Sequence, residues 1–150
     1  MSNPLRQRAL RLLALREHAR AELKRKLAPH AESEEQLETL LDDLVARRLL
    51  SDARYAEMRV SVRGSRYGNA RLAQELRQTG VTPETAGEAL ATAGDEMARA
   101  QSVWARKFSA LPTDASERAR QIRFLMSRGF SSDTIRRVLR GEAAEEREEE

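Results

Sequence analysis

Leu76-Arg77-Gln78-Thr79-Gly80-Val81-Thr82-Pro83-Glu84-Thr85-Ala86 returns 49 residues later as Leu125-Met126-Ser127-Arg128-Gly129-Phe130-Ser131-Ser132-Asp133-Thr134-Ile135. Each copy sets an apolar residue, a glycine four positions on, and an apolar residue six further on. Glycine at that place ends a helix in left-handed backbone. Thr82-Pro83 or Ser131-Ser132 then begins the next helix, an N-cap followed by a first-turn residue. The same step of 49 reaches back to Leu27, and it joins Leu41, Leu90 and Leu139 as well as Leu37, Ala86 and Ile135. Ala31 stands in the first copy where Gly80 and Gly129 stand in the others. A period of this length, carried by helix-core positions and a turn residue, predicts stacked copies of one helical unit. Such an array offers a broad surface to a large partner rather than one deep catalytic pocket.

Cap chemistry divides each copy into three helices. In the first, a helix from Pro4 uses Leu5, Leu10 and Leu13, and a second carries Leu23 and Leu27 and ends near Pro29. Ser33 and Gln36 have capping-box spacing, and the helix they open has the stripe Leu37, Leu40, Leu41, Leu44 and Val45. Its outer face is acidic: Glu34, Glu35, Glu38, Asp42 and Asp43. The second copy opens at Ser51 or Asp52, with Tyr55, Met58 and Val62 facing inward. Gly68 breaks the chain, Asn69 caps the next helix, and Leu72 and Leu76 lie inside it. Asp95 opens the third copy, in which Val103, Trp104 and Phe108 face inward. Asp114 with Glu117 caps its middle helix around Ile122, Leu125 and Met126, and a last helix buries Ile135, Val138 and Leu139. The expectation is an all-α protein of about nine helices: three tandem three-helix units, 1–50, 51–94 and 95–141, in an elongated array free to curve. Glu142–Glu150 forms an acidic tail, disordered or frayed.

Composition narrows the function classes. Apolar residues are 40%, aromatic ones 4% and charged ones 34%, so the core is thin and the surface highly charged. No cysteine is present, which excludes disulfides and thiolate metal sites. No apolar run approaches the roughly 18 residues of a membrane span, and Arg11 and Arg16 interrupt any signal-like stretch near the start. These features lead us to expect a cytoplasmic monomer. The net charge of +3 conceals an asymmetry: Glu142–Glu150 holds six glutamates and one arginine, leaving +8 on Met1–Gly141. A basic body of this kind suits a polyanion or an acidic protein surface.

Catalytic patterns are wanting. There is no phosphate-binding glycine loop. His18 and His30 are twelve apart with no carboxylates to complete a metal set, and His18 reads as a surface residue at a helix junction. Asp42 and Asp43 are adjacent on a helix and point apart, so they make no acid–base pair. No catalytic residue, cofactor or metal is therefore expected. The repeated turn has the spacing of a helix-turn-helix, but the second helix of the middle copy offers Glu84 and Glu88, which phosphates repel. Only the last copy supplies Arg136, Arg137 and Arg140 there, so the motif reads as a structural corner. The cations form stripes elsewhere. Arg16, Arg20 and Lys24 fall on one side if the helix is nearly continuous. Arg59, Arg63 and Arg66 make a stripe with Arg71 just after it, and Arg120, Arg123 and Arg128 crowd the middle helix of the last copy. Guanidinium forks match carboxylate and phosphate oxygens, and these ten residues are the candidate contacts.

Four stretches together support a family. They are Leu13-Ala14-Leu15-Arg16-Glu17-His18-Ala19-Arg20 with Glu22-Leu23, Leu49-Leu50-Ser51-Asp52-Ala53-Arg54-Tyr55-Ala56-Glu57, Gly68-Asn69-Ala70-Arg71-Leu72 with Glu75-Leu76, and Phe124-Leu125-Met126-Ser127-Arg128-Gly129-Phe130-Ser131. In this order and spacing the chain resembles the RecX family, bacterial modulators of the recombinase RecA. The likeness runs from about Ala9 to Leu139. Tyr55 stands where that family often has Phe, Asn69 where Pro is frequent, and Ala19 where Ser is common. The resemblance implies three tandem three-helix units. It also implies a protein lying in the groove of the RecA–DNA filament, usually inhibiting RecA in recombination, DNA repair and the SOS response. A direct DNA binder or repressor acting without RecA is the rival reading.

Overall fold

The computed structural model describes residues 3–142. Among them are nine α-helices and no strand: α1 (Pro4–Leu15), α2 (Arg20–Leu27), α3 (Glu34–Ala46), α4 (Asp52–Arg63), α5 (Asn69–Gln78), α6 (Pro83–Ala91), α7 (Glu96–Lys107), α8 (Ala115–Ser127) and α9 (Ser132–Leu139). A 3-10 turn, Ala28–His30, follows α2. The acidic tail expected over 142–150 lies outside the described residues beyond Glu142. No described helix is long and apolar enough to cross a membrane.

Local chemistry sets the helix ends. Asn3 accepts from the N–H groups of Leu5 and Arg6, Asp95 from Met97, Asp114 from Glu117, and Ser131 from Thr134. Such caps are worth about 1 kcal/mol each. Ser51, not Asp52, caps α4, its hydroxyl accepting from Arg54 N–H at 3.2 Å. Asp52 instead reaches back to accept from Arg20 N–H at 2.8 Å. That bond supplies α2 with the cap that Ala19 has no side chain to give. The capping boxes are half-formed. Gln36 turns to Glu32 N–H and Glu117 to Thr113 N–H, each one residue before the cap. Gly80 and Gly129 do adopt left-handed backbone, at φ 84° and 87°. Ala31 is extended, because the 3-10 turn through Pro29 has already ended the helix.

The chain divides into two compact units. The first holds the described residues up to Met58 with Leu76–Ala89, and the second Arg59–Glu75 with those from Leu90 onward. The core of the first is leucine: Leu5, Leu23, Leu27, Leu37, Leu40, Leu41, Leu44 and Leu50, with Ala9. The core of the second is more varied, with Met97, Val103, Trp104, Phe108, Leu125, Phe130, Ile135, Val138 and Leu139. Full burial of such side chains stabilises by about 2 kcal/mol each. Trp104 keeps its indole N–H satisfied, donating to Gln121 Oε1 at 2.8 Å.

Some inward faces differ from expectation. Val45 is exposed at the edge of the α3 stripe. In α4 the buried residues are Tyr55, Ala56 and Val60, while Val62 is 66% exposed. In α8 Leu125 is buried and Met126 lies out at 57%. In α4 and α8 the buried face is turned by about one residue relative to the expected stripe, whereas in α3 the four leucines lie inside as expected and only the stripe's edge is out. His18 departs most. It is buried, its Nδ1 against Arg16 O at 3.0 Å and its Nε2 against Lys26 Nζ at 3.1 Å. A lysine ammonium only donates, so Nε2 accepts and the ring is neutral, with Nδ1–H donating to the carbonyl. Burial first, then the Arg16 and Lys26 charges, hold its pKa below the ordinary 6.5 against the raising effect of that carbonyl.

Candidate nucleic-acid and protein interface

The candidate cations of the first unit, Arg16, Arg20 and Lys24, are turned on its own carboxylates. Arg16 is the C-cap of α1, separated from α2 by a short loop, so Arg16, Arg20 and Lys24 do not share a continuous helix. Arg16 pairs with Glu22 at 2.5 Å. Burial favours a raised Glu22 pKa, but the bonded Arg16 holds it below the ordinary value. Arg20 spans Glu38 and Asp42, both at 2.7 Å, and Lys24 meets Glu38 at 2.5 Å. Lys24 and then Arg20 depress the Glu38 pKa. Arg47 and Arg6 do the same for Asp43. The acidic face of α3 and the basic face of α2 thus neutralise one another across their packing contact.

The second unit handles its cations differently. Glu75 takes Arg63 in a two-bond fork, Nε and Nη2 each donating at 2.7 Å, with Arg71 at 3.7 Å and Arg59 at 3.9 Å. That fork raises the Arg63 pKa. The Tyr67 ring has Arg71 at 4.1 Å, Arg63 at 4.5 Å and Arg128 at 5.6 Å from its centroid. Beside it Arg66, Arg106, Lys107 and Arg128 line an open concavity of about 370 Å³ with Val103 and Phe124. Among the described residues no carboxylate lines it. Arg120 lies over Phe108 at 5.5 Å. Arg123 is exposed on α8 and makes no ion pair among the described residues.

Backbone contacts fix this cluster. Gly68 N–H donates to Arg128 O at 2.7 Å, and Ala70 N–H to Gly129 O at 3.2 Å. The loop carrying Arg66 is thereby tied to the turn carrying Arg128. Arg99 pins the same loop from α7, donating to Gly64 O at 3.0 Å and to Tyr67 O and Asn69 Oδ1, each at 2.7 Å. Asn69 therefore holds Arg99, although the sequence casts it as a cap. Arg106 donates to Ser65 O. Lys107 lies 5.7 Å and Arg128 5.1 Å from the Phe124 ring. Of the sequence-selected residues, the structure brings Arg66 and Arg128 together here, and Arg59, Arg63 and Arg71 around Glu75. It does not bring Arg16, Arg20 and Lys24 into either group. Sequence reasoning missed Arg106, Lys107 and Arg99. An adjacent basic pair at the end of α7 was a usable signal, but Arg99 had none.

The helix-turn-helix corners offer little to a DNA groove. Glu84 and Glu88 are exposed on α6. On α9, Arg136 pairs with Asp133 at 3.5 Å, and Arg137 and Arg140 with Glu142 at 2.8 and 3.0 Å. Among the described residues no group of three or more His, Cys, Asp and Glu is placed to hold a metal.

Comparison with known proteins places the chain in a family. The second and third three-helix domains of RecX match residues 51–90 and 94–139. Regulatory protein RecX of Leptothrix cholodnii is 53% identical over 137 residues, covering 91% of this chain and 87% of that protein. The chain belongs to the RecX family. RecX of Neisseria meningitidis serogroup B is 42% identical over 136 residues, covering 91% of this chain and 89% of its own. The crystal structure of RecX from Lactobacillus salivarius shares the fold, with a TM-score of 0.81 at 20% identity over 92% of this chain and 94% of that one. A second RecX crystal structure gives 0.74 at 22% identity, over 90% and 71%.

Proposed function

We propose that this RecX-family chain is a non-catalytic regulator, monomeric in solution, that lies in the groove of the RecA–DNA filament. It inhibits recombinase, ATPase and coprotease activities there, and the segments 1–50, 51–94 and 95–141 act as its repeat units. The observation that carries the reading is the concavity of Arg66, Arg106, Lys107 and Arg128, which no carboxylate of the described residues lines and whose Arg66 loop and Arg128 turn are tied backbone to backbone. Pre-positioned cations lose little entropy on meeting a partner. Arg71 and Arg59, held loosely at 3.7 and 3.9 Å by Glu75, extend the basic surface. Repeated contacts along a lattice raise effective concentration, so several weak contacts suffice.

The test is binding of labelled chain, at physiological salt, to naked single strands, naked duplex and RecA-coated strands. The reading predicts preference for coated strands. Equal or tighter binding to naked duplex, with sequence selectivity, overturns it in favour of a DNA-binding repressor.

A further inference from the structure

We propose that Arg48 and Val45, at the C-terminal end of α3, dock an acidic segment of a protein partner, Arg48 taking a carboxylate and Val45 the apolar side chain beside it. The docking rests on the reading above for the identity of that partner. Arg48 stands two residues past α3, at φ 61°. Gly80, Gly129 and Gly141 stand two residues past α5, α8 and α9, at φ 84°, 87° and 79°. Left-handed backbone suits glycine and strains a residue with a Cβ. Among the described residues Arg48 alone bears that strain. The N–H groups of Leu49 and Leu50 both donate to Leu44 O, at 2.9 and 3.2 Å, and so hold the turn in this form. Backbone strain of this kind is kept where a side chain has work outside the fold.

The Arg48 guanidinium is exposed and makes no hydrogen bond or ion pair among the described residues. It lines an open cavity of about 490 Å³ with Arg20, Val45, Leu50, Asp52 and Arg54. The other ions there are engaged: Arg20 by Glu38 and Asp42 at 2.7 Å, Arg54 by Glu17 at 2.9 Å, and Asp52 by Arg20 N–H at 2.8 Å. One guanidinium fork is left over, and it stands beside apolar surface. Val45 is 45% exposed, although α3 buries its four leucines. A guanidinium fork matches a single carboxylate. A phosphate chain, with its closely spaced anions, would meet one free cation and an apolar wall. A protein segment supplies an anion and an apolar side chain from neighbouring residues. The chain's own Glu142–Glu150 does not fit, because it carries no apolar side chain larger than those of Ala143 and Ala144.

The experiment joins thermal denaturation of the full chain to its binding, at physiological salt, of RecA-coated and of naked oligothymidylate. Arg48→Gly should raise the melting temperature by about 2–4 °C, because the strain is released. The same variant should bind coated strands about tenfold more weakly, having lost the guanidinium–carboxylate fork. Its affinity for naked oligothymidylate should stay within about twofold of wild type, since the contact is not to phosphate. Arg48→Lys keeps the strain and a point charge but not the fork, so it should melt with wild type and lose about threefold on coated strands. Val45→Gln should lose about threefold there through its apolar contact. Arg25→Gln, an exposed cation of α2 away from the cavity, should change nothing. Arg48→Gly melting at or below wild type overturns the proposal, since Arg48 would then serve the fold. So does equal affinity of wild type and Arg48→Gly for coated strands, or a parallel loss on naked oligothymidylate, which would make the partner a phosphate. Self-association of wild type that Arg48→Gly abolishes would make the occupant a second copy, and overturns it too. Wild-type chain with no affinity for coated strands overturns the regulatory reading together with the docking, whereas wild type binding them as tightly as Arg48→Gly overturns the docking alone.

Discussion

Gly68→Ala should be among the costliest single-methyl changes in this protein. A Cβ at Gly68 meets Gly129 O at 2.4 Å, Gly129 C at 2.5 Å and Phe130 N at 2.6 Å, all of them backbone. No rotamer relieves backbone, so the two loops must separate. Separation weakens the bonds from Gly68 N–H to Arg128 O and from Ala70 N–H to Gly129 O, at about 1 kcal/mol each. The residual overlap adds about 1 kcal/mol more. The sum is about 3 kcal/mol, which lowers the melting temperature by roughly 6–12 °C in a chain of this size. Gly87→Ala is the internal control. A Cβ there meets nothing within 4 Å and lies within α6, so it should stabilise by about 0.5–1 kcal/mol. Thermal and urea denaturation followed by circular dichroism measure both. A Gly68→Ala cost below about 1 kcal/mol would refute the idea that the Arg66 loop and the Arg128 turn are locked backbone to backbone.

Three further outcomes are expected. Arg20→Gln should lower the melting temperature, because Asp42 loses its Arg20 partner and Glu38 is left with Lys24 alone, while oligonucleotide affinity stays unchanged; a binding defect at full stability would return Arg20 to the interface. His18 should titrate below 6.5 by NMR, since burial favours the neutral ring. With its folded pKa below its unfolded one, stability is complete above about pH 6.5 and falls as pH drops toward the folded value. Denaturation midpoints flat between pH 7.5 and 5 would contradict the neutral, buried assignment. A chain ended after Glu142 loses five glutamates and one arginine, a net charge of −4. It should bind polyanions more tightly, with a larger gain at low salt than at physiological salt; unchanged affinity would show that the tail charge does not act on the basic surface.

Helix boundaries were legible because capping is local chemistry. Thr82-Pro83, Asp95, Asp114 and Ser131 announce their helices within three residues. Buried faces were legible to about one residue of rotation. Periodicity identifies an apolar stripe, but the neighbours packed on it decide whether Val60 or Val62 lies inside. The site was half legible. Cations could be counted, but whether one is spent on a carboxylate depends on long-range packing. Arg20 meets Glu38 and Asp42 only because α2 packs on α3. Arg66 meets Arg128 through a loop-to-turn pairing, and Arg106 and Lys107 join them through the Arg99 and Arg106 bonds to the same loop, none of which a local pattern encodes. His18 was misread because a lone polar residue at a helix junction resembles any surface residue until the Arg16 carbonyl and Lys26 are seen around it.

The regulatory account is tested most directly by RecA-catalysed ATP turnover on single-stranded DNA at physiological salt. The full chain is added alongside an Arg66→Glu, Arg128→Glu variant shown to keep its helical spectrum. Wild-type chain should suppress turnover at substoichiometric ratios to RecA, and the variant should suppress it little. Turnover indifferent to the wild-type chain, or equally suppressed by both proteins, would contradict the account.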